Sequence, residues 1–205
     1  MTNQSTSNHS NIPFNTHDSW AIWETPKESL LDKSDQERQD LFRDNYQPDT
    51  FPIELLPKDL KPQLSEVKYV LLGLNPGNAG VSTENAQMYL NFHGKKKSLD
   101  YRLAAAVYGT ELWGAFMTDL VHVNESNSDK VAVCQKDIER LEQHLDALNI
   151  PNDAILVAMG GKAQKALKGY KKRIVEPIPH YAGTNTRWKA DKVRQIVEDI
   201  VVRHV

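Results

Sequence analysis

Only one cysteine, Cys134, occurs in the 205 residues, so no internal disulfide can form and no thiol cluster is available for a structural zinc. With no partner thiol it is expected to be an inert, buried or half-buried side chain. No uncharged apolar run approaches the roughly 18 residues of a membrane span, and the start, MTNQSTSNHSN, lacks the basic-then-apolar order of a secretory signal. A cytoplasmic protein without a membrane role is expected. His93, His122 and His144 have no paired spacing with acids or cysteine, so no metal is expected either. Gly160-Gly161-Lys162 resembles the end of a phosphate loop, but Leu156 stands where the leading glycine belongs and Ala163 follows the lysine. No G-x-G-x-x-G comes after an apolar run, so no nucleotide cofactor is expected.

The residues present fit a globular enzyme-sized fold. Apolar residues make up 40% and charged residues 25% of the chain, and a domain takes about 150 residues, so one α/β domain with extensions is the natural reading. The formal charge of −2 argues against coating nucleic acid by bulk potential. Its distribution is uneven: residues 1–66 carry 6 basic and 12 acidic side chains, residues 67–160 carry 8 and 11, and residues 161–205 carry 11 and 4. The C-terminal basic block hints at a surface that meets a polyanion, although a solvated helix face is the commoner cause.

Residues 1–17 are dominated by Ser, Asn, Thr and Gln and read as a disordered tail. Residues 18–65 read as a helical and irregular extension packed on the core. Within it, Ser34 and Glu37 form a capping-box pattern ahead of Leu41 and Phe42, while Pro52, Pro57 and Pro62 interrupt the remainder of the extension. Trp20, Trp23, Trp113 and Trp188 read as packing anchors. Residues 66–205 form the principal domain. Apolar runs at 67–74, 115–121, 154–159 and 174–178 alternate with helical stretches at 98–108, 129–148, 162–167 and 187–202. That alternation predicts a three-layer αβα sandwich on a four-stranded parallel sheet.

Ligands of open parallel sheets sit beyond the carboxyl ends of the strands. The segments there are Gly73-Leu74-Asn75-Pro76-Gly77, Thr118-Asp119, Gly160-Gly161-Lys162 and Pro179-His180-Tyr181. Their order along the chain resembles the uracil-DNA glycosylase superfamily. Residues 73–77 match the G-x-N-P-G first motif of its mismatch-specific and single-strand-selective groups. The stretch 113–121 is similar to its second strand, 155–167 to its third strand and the helix after it, and Ile178-Pro179-His180 to the start of its second motif. The resemblance covers roughly residues 67–200.

This resemblance implies a cofactor-free hydrolase of base excision repair, a monomer acting on DNA that carries a deaminated or damaged base. It implies that Asn75 holds the attacking water through its amide oxygen and that His180 donates a hydrogen bond to the departing base. Gly73, Leu74, Pro76 and Gly77 would shape the base pocket, with Phe92, or Tyr89 as the alternative, as the stacking platform for a flipped base. Phosphate contacts would fall to Lys95, Lys96, Lys97, Lys162, Arg187 and Lys189, with Tyr181, Thr184 and Asn185 beside them.

The chain also departs from the family's pattern. Asp119 occupies the position usually filled by a base-reading Asn. Ionised, it accepts but cannot donate, which suits an amino group; protonated in a dry pocket, it still donates. Tyr181 comes after His180 where Pro-Ser is usual, either as a wedge or as a cover. Two further readings therefore stand beside the hydrolase: a non-catalytic nucleotide- or nucleic-acid-binding module on the same fold, and a small-molecule hydrolase.

Overall fold

The computed structural model describes residues 12–77, 88–182 and 188–205. Its elements run β1 (Ser19–Trp20), α1 (Asp35–Asp44), α2 (Lys61–Ser65), β2 (Tyr69–Gly73), α3 (Tyr101–Val107), β3 (Phe116–Asp119), α4 (Gln135–Ala147), β4 (Ile155–Met159), α5 (Gly161–Ala166), β5 (Val175–Ile178) and α6 (Ala190–Arg203). The expected α/β architecture is present, but the sheet has five strands rather than four and is mixed. Its order is β1-β3-β2-β4-β5, with β1 antiparallel to β3 and the other pairs parallel. The two-residue β1 is too short to show a hydrophobic period, which is why it escapes a reading of the sequence.

The layers arise from alternation along the strands. Tyr69 and Leu71 of β2, Met117 of β3 and Val157 of β4 join one core with Phe42 of α1, Leu103 of α3 and Val193, Val197 and Ile200 of α6. Val70, Leu72, Phe116, Leu156 and Ala158 point the other way, into a second core with Leu64 of α2 and Leu141 and Leu145 of α4. Both faces of the sheet are thus covered, as parallel strands require. The capping box at Ser34 forms as expected, with Glu37 closing it. Cys134 does not take the expected buried place: it is exposed at the start of α4, where its backbone N–H donates to Asp137 Oδ2 at 2.8 Å.

Residues 12–17 are also not the disordered tail that their composition suggests. Phe14 packs edge-on against Tyr89, and the rings of His17 and His122 lie 4.0 Å apart. Asp18, fully buried, is the pin. Its carboxylate accepts from Thr118 Oγ1 on β3 at 2.9 Å and from the Asn15 backbone N–H at 2.8 Å, and His144 Nε2 of α4 lies 2.8 Å away. Residues 1–11 lie outside the described chain.

β2 lies between β3 and β4, and the chain leaves β2 toward one side and β4 toward the other. The crevice between these two strand ends is the switch point where open sheets bind ligands.

Removing the Asp18 carboxylate strands a buried hydroxyl and a backbone donor together. Asp18→Ala should therefore lower unfolding stability by about 2–4 kcal/mol. Denaturant unfolding checks this, and the slope with denaturant should be nearly unchanged if the fold persists.

Candidate functional site

A cleft of about 990 Å³ opens beyond the strand ends and is lined by Gly73, Leu74, Asn75, Pro76, Gly77, Phe92, Asp119, Gly160, Lys162, His180 and Tyr181, among others. Four strand-end segments expected to converge therefore do so. Register explains it: Gly73 pairs with Asp119 across β2 and β3, and Met159 with Ile178 across β4 and β5.

The loop after β2 is clasped by the loop after β3. Leu120 N–H donates to Gly73 O and Val121 N–H to Leu74 O, extending the ladder, and Glu125 N–H reaches Pro76 O at 3.2 Å. Asn75 is held within this clasp. Its Nδ2 lies 2.8 Å from Pro76 O, 2.9 Å from Val123 O and 2.8 Å from Glu125 O. An amide nitrogen among three carbonyls fixes the side chain's orientation, because turning it over would set oxygen against oxygen. The amide oxygen is consequently the end directed away from the protein's own acceptors. The oxygen is thereby the end of the Asn75 amide left to accept a hydrogen bond.

His180 lies two residues past the end of β5 and is pressed against Gly160. A Cβ at Gly160 would come within 3.0 Å of the His180 Cβ, and Gly160 has φ +87°, so both space and backbone demand glycine there. The Ala182 backbone N–H donates to His180 Nδ1 at 3.0 Å. That contact assigns the neutral ring's proton to Nε2. Burial pushes the His180 pKa down to about 4, so near neutrality the ring is an uncharged Nε2–H donor. Gln164 ties the ends of β4 and β5 beneath it, donating to Ala158 O at 3.1 Å and Ile178 O at 2.8 Å.

Asp119 ends β3, almost wholly buried. Its Oδ2 accepts from Asn91 Nδ2 at 2.9 Å, while Oδ1 is buried without a hydrogen-bond partner among the described residues. Burial raises its pKa to about 7, with the nearby Asp18 charge adding to the effect and the Asn91 hydrogen bond opposing it. Gly73 makes room for this side chain: a Cβ there would lie 2.2 Å from Asp119 Oδ1 and 2.9 Å from Phe92 Cε1.

Phe92, Asn91 and Tyr89 share a turn with two left-handed residues, Tyr89 and Phe92, each at φ +70°. Such backbone costs of order 1–3 kcal/mol per residue and persists only where surroundings hold it. The holders are N-terminal: Ser19 Oγ donates to Tyr89 O at 2.6 Å, Asn91 Nδ2 donates to His17 O at 2.6 Å, and His93 Nε2 lies 3.1 Å from Trp20 O. The turn directs Phe92 into the cleft over Gly73.

Other expected site residues are placed differently. Tyr89, the alternative platform, points into the second core against Phe14 and Phe51 and does not line the cleft. Tyr181 is a cover rather than a wedge, buried and stacked on the His180 ring at 4.5 Å. Lys97 lines the cleft and Lys95 is exposed outside it, whereas the Lys96 side chain is not among those described. Lys162 pairs with Asp129 at 2.7 Å. Lys189 is exposed at the start of α6, and Thr184, Asn185 and Arg187 lie outside the described residues. Within the C-terminal basic block, Lys172 and Arg173 pair with Glu142 of α4, Arg194 with Glu198 and Arg203 with Glu176. Asn91 and Gln164 are invisible to a reading of the sequence, since a lone amide side chain in a loop or helix carries no spacing signal.

Among the described residues no group of three or more His, Cys, Asp or Glu side chains could hold a metal ion, and no helix is long and apolar enough to cross a membrane. No curated protein matches the chain. The sequence model of the uracil DNA glycosylase superfamily matches residues 62–201, which span β2 to α6 and every strand-end segment of the cleft. With that match over more than half of its length, the chain belongs to the uracil DNA glycosylase superfamily.

Proposed function

We propose that the protein is a DNA glycosylase that releases a deaminated or damaged base by hydrolysing its N-glycosidic bond, without a cofactor. The observation that carries this reading is the pairing, in one cleft, of an Asn75 amide whose nitrogen is committed to the protein's own carbonyls and a His180 ring whose Nδ1 accepts from the Ala182 N–H. Hydrolysis here needs both. A water oxygen bonds to C1′ of the sugar as the C1′–N bond breaks, the bonding electrons leave with the base, and the water's proton passes to solvent. Asn75 Oδ1 accepts from that water and aims it. An amide is too weak a base to take the proton, so its contribution is positioning. His180 Nε2–H meets the base carbonyl oxygen where the negative charge collects, and a donor already oriented in a dry site is worth most there. Phe92, over Gly73, supplies an apolar face for a base taken out of the stack.

DNA contact is proposed to run along the rim through Lys95, Lys97 and Lys189, with Lys162 joining once it exchanges Asp129 for phosphate. Few cations then meet the backbone, so binding should be weak. A non-catalytic binding module is the second reading, favoured by the buried Asp119 carboxylate at the base-reading position.

Single-turnover release from oligonucleotides carrying one uracil or hypoxanthine should fall about 10²-fold in Asn75→Ala and about 10²–10³-fold in His180→Ala. The double variant should lose less than the product of the two, because both act on one transition state. Unchanged rates in both variants would reject these roles, and no release from any deaminated base by the unaltered protein would leave the binding module.

With about three or four phosphate contacts, the slope of log affinity against log salt should lie near −3. A filter-binding series in salt measures it. Lys97→Glu should reduce the slope by about one and weaken all sequences equally, since phosphate contacts carry no base information.

A further inference from the structure

The turn that carries Phe92 into the cleft is held from behind by the N-terminal segment. Ser19 Oγ donates to Tyr89 O at 2.6 Å, His93 Nε2 lies 3.1 Å from Trp20 O, and His17 O accepts from Asn91 Nδ2 at 2.6 Å. Tyr89 and Phe92 are both left-handed, a backbone that relaxes when its holders go. Ser19 and Trp20 are paired into the sheet with Met117 and Phe116. His17 is not, so the place of its carbonyl depends on how residues 12–17, a strap laid against the loop after β3 and against α4, are themselves seated.

The seat is built from imidazoles. The His17 ring lies on the His122 ring, with centroids 4.0 Å apart and planes 30° apart. Beside them the buried Asp18 carboxylate accepts from Thr118 Oγ1 and from the Asn15 N–H, with His144 Nε2 at 2.8 Å, and Asn15 Nδ2 lies 3.0 Å from the same His144 nitrogen. Arg140, one turn before His144 on α4, reaches Leu120 O at 3.3 Å and Asp137 Oδ1 at 2.9 Å. The charged and titratable groups around the two rings are therefore Asp18 on the strap, Arg140 with its partner Asp137, and His144 on α4, while Asn91 stands between His17 O and Asp119.

Two stacked imidazoles are compatible as neutral rings. A proton on either sets a partly desolvated cation between a second ring and Arg140. Burial pushes the His122 pKa down to about 4, with His17, Arg140 and His144 adding to the fall and Asp18 opposing it. Burial lowers His17 as well, against the opposing charge of Asp18. A ring released to water regains its ordinary pKa of 6.5, so the released strap binds protons more readily than the seated one. Seating is thus complete above pH 6.5 and is progressively lost as pH falls toward the seated values. We propose that residues 12–17 are an acid-released latch on the Phe92 turn: protonating His17 or His122 unseats the strap, His17 O leaves Asn91, and the turn loses its outer support. The latch is independent of the glycosylase reading, since seating is measurable whether or not any base is released.

The Asn15, His17 and Asp18 amides bond within the strap, so their hydrogen exchange, followed by NMR and corrected for intrinsic rates, reads its release. From about pH 7.5 to about pH 5 their protection should fall about 30-fold through His122 alone, and further through His17. A fall matched by the β4 amides is global unfolding and overturns the inference. The Asn91 side-chain amide and the Phe92 backbone amide should shift with the same midpoint; if they stay fixed while the strap opens, it is no latch. His17→Phe with His122→Phe keeps two rings and the residue-17 carbonyl but cannot take the protons, so protection in this variant should be flat over the range. A fall that persists there belongs to Asp18 and His144 and overturns the inference. In the unaltered protein the ring Cε1–H resonances of His17 and His122 should both titrate below 6.5, and titration of both at or above that value overturns it independently of the variant. Failure of the unaltered protein to release any deaminated base counts against the glycosylase reading, while the exchange measurement still decides the latch.

Discussion

The absence of one methyl group, at residue 73, sets how near the ends of β2 and β3 can bring their side chains. A Cβ there would overlap Asp119 Oδ1 and crowd the Phe92 ring, so neither the Asp119 carboxylate nor the Phe92 ring could occupy its place beside any other residue. Everything else at the site is arranged around that close approach. The strand register sets Asp119 opposite Gly73, the loop after β3 folds back to hold the Asn75 amide, and Gly160 repeats the device at the end of β4 by admitting His180. Two glycines at two strand ends turn a sheet edge into a cleft.

The site also concentrates features that a stable fold otherwise avoids: two left-handed residues in one turn, a buried carboxylate with an oxygen unpartnered among the described residues, and a histidine kept uncharged by burial. Each is unfavourable by itself. They are tolerated because the residues behind them are over-determined by the Asp18 cluster, the hydrogen bonds from Ser19 and to His17, and the double-sided core. Left-handed backbone also occurs at Asp49, Leu99 and Asn149, so what distinguishes the cleft is the coincidence of all three features in one place.

How much of this is visible in the sequence depends on whether the physics is repetitive. β2 and β4 declare themselves because a strand buried on both faces must be apolar throughout, and α4 and α6 because their buried faces recur every three or four residues. Asn75 and His180 are legible through the order of motifs at strand ends. β1 is not, since two residues hold no period, and 12–17 look disordered because a few specific contacts of Phe14, Asn15 and His17 leave no mark on composition. Tyr89 and Tyr181 are assigned by side-chain type, while their direction is decided by their surroundings: a left-handed turn sends Tyr89 inward, and stacking on His180 buries Tyr181. Sequence distance hides the pairing of two cations of the basic block with Glu142 of α4.

The hydrogen bond from Asn91 to the carbonyl of His17 crosses the boundary of the family's matched segment, which begins at residue 62. Every residue assigned to the base lies inside that segment, yet the atom that keeps Asn91 from turning over lies outside it. Excised at the family's borders, the domain would retain its motifs and lose the anchor, letting Asn91 present oxygen to Asp119 and pressing the carboxyl toward its protonated form. The unit that the family's motifs define is therefore smaller than the unit that fixes the Asn91–Asp119 hydrogen bond.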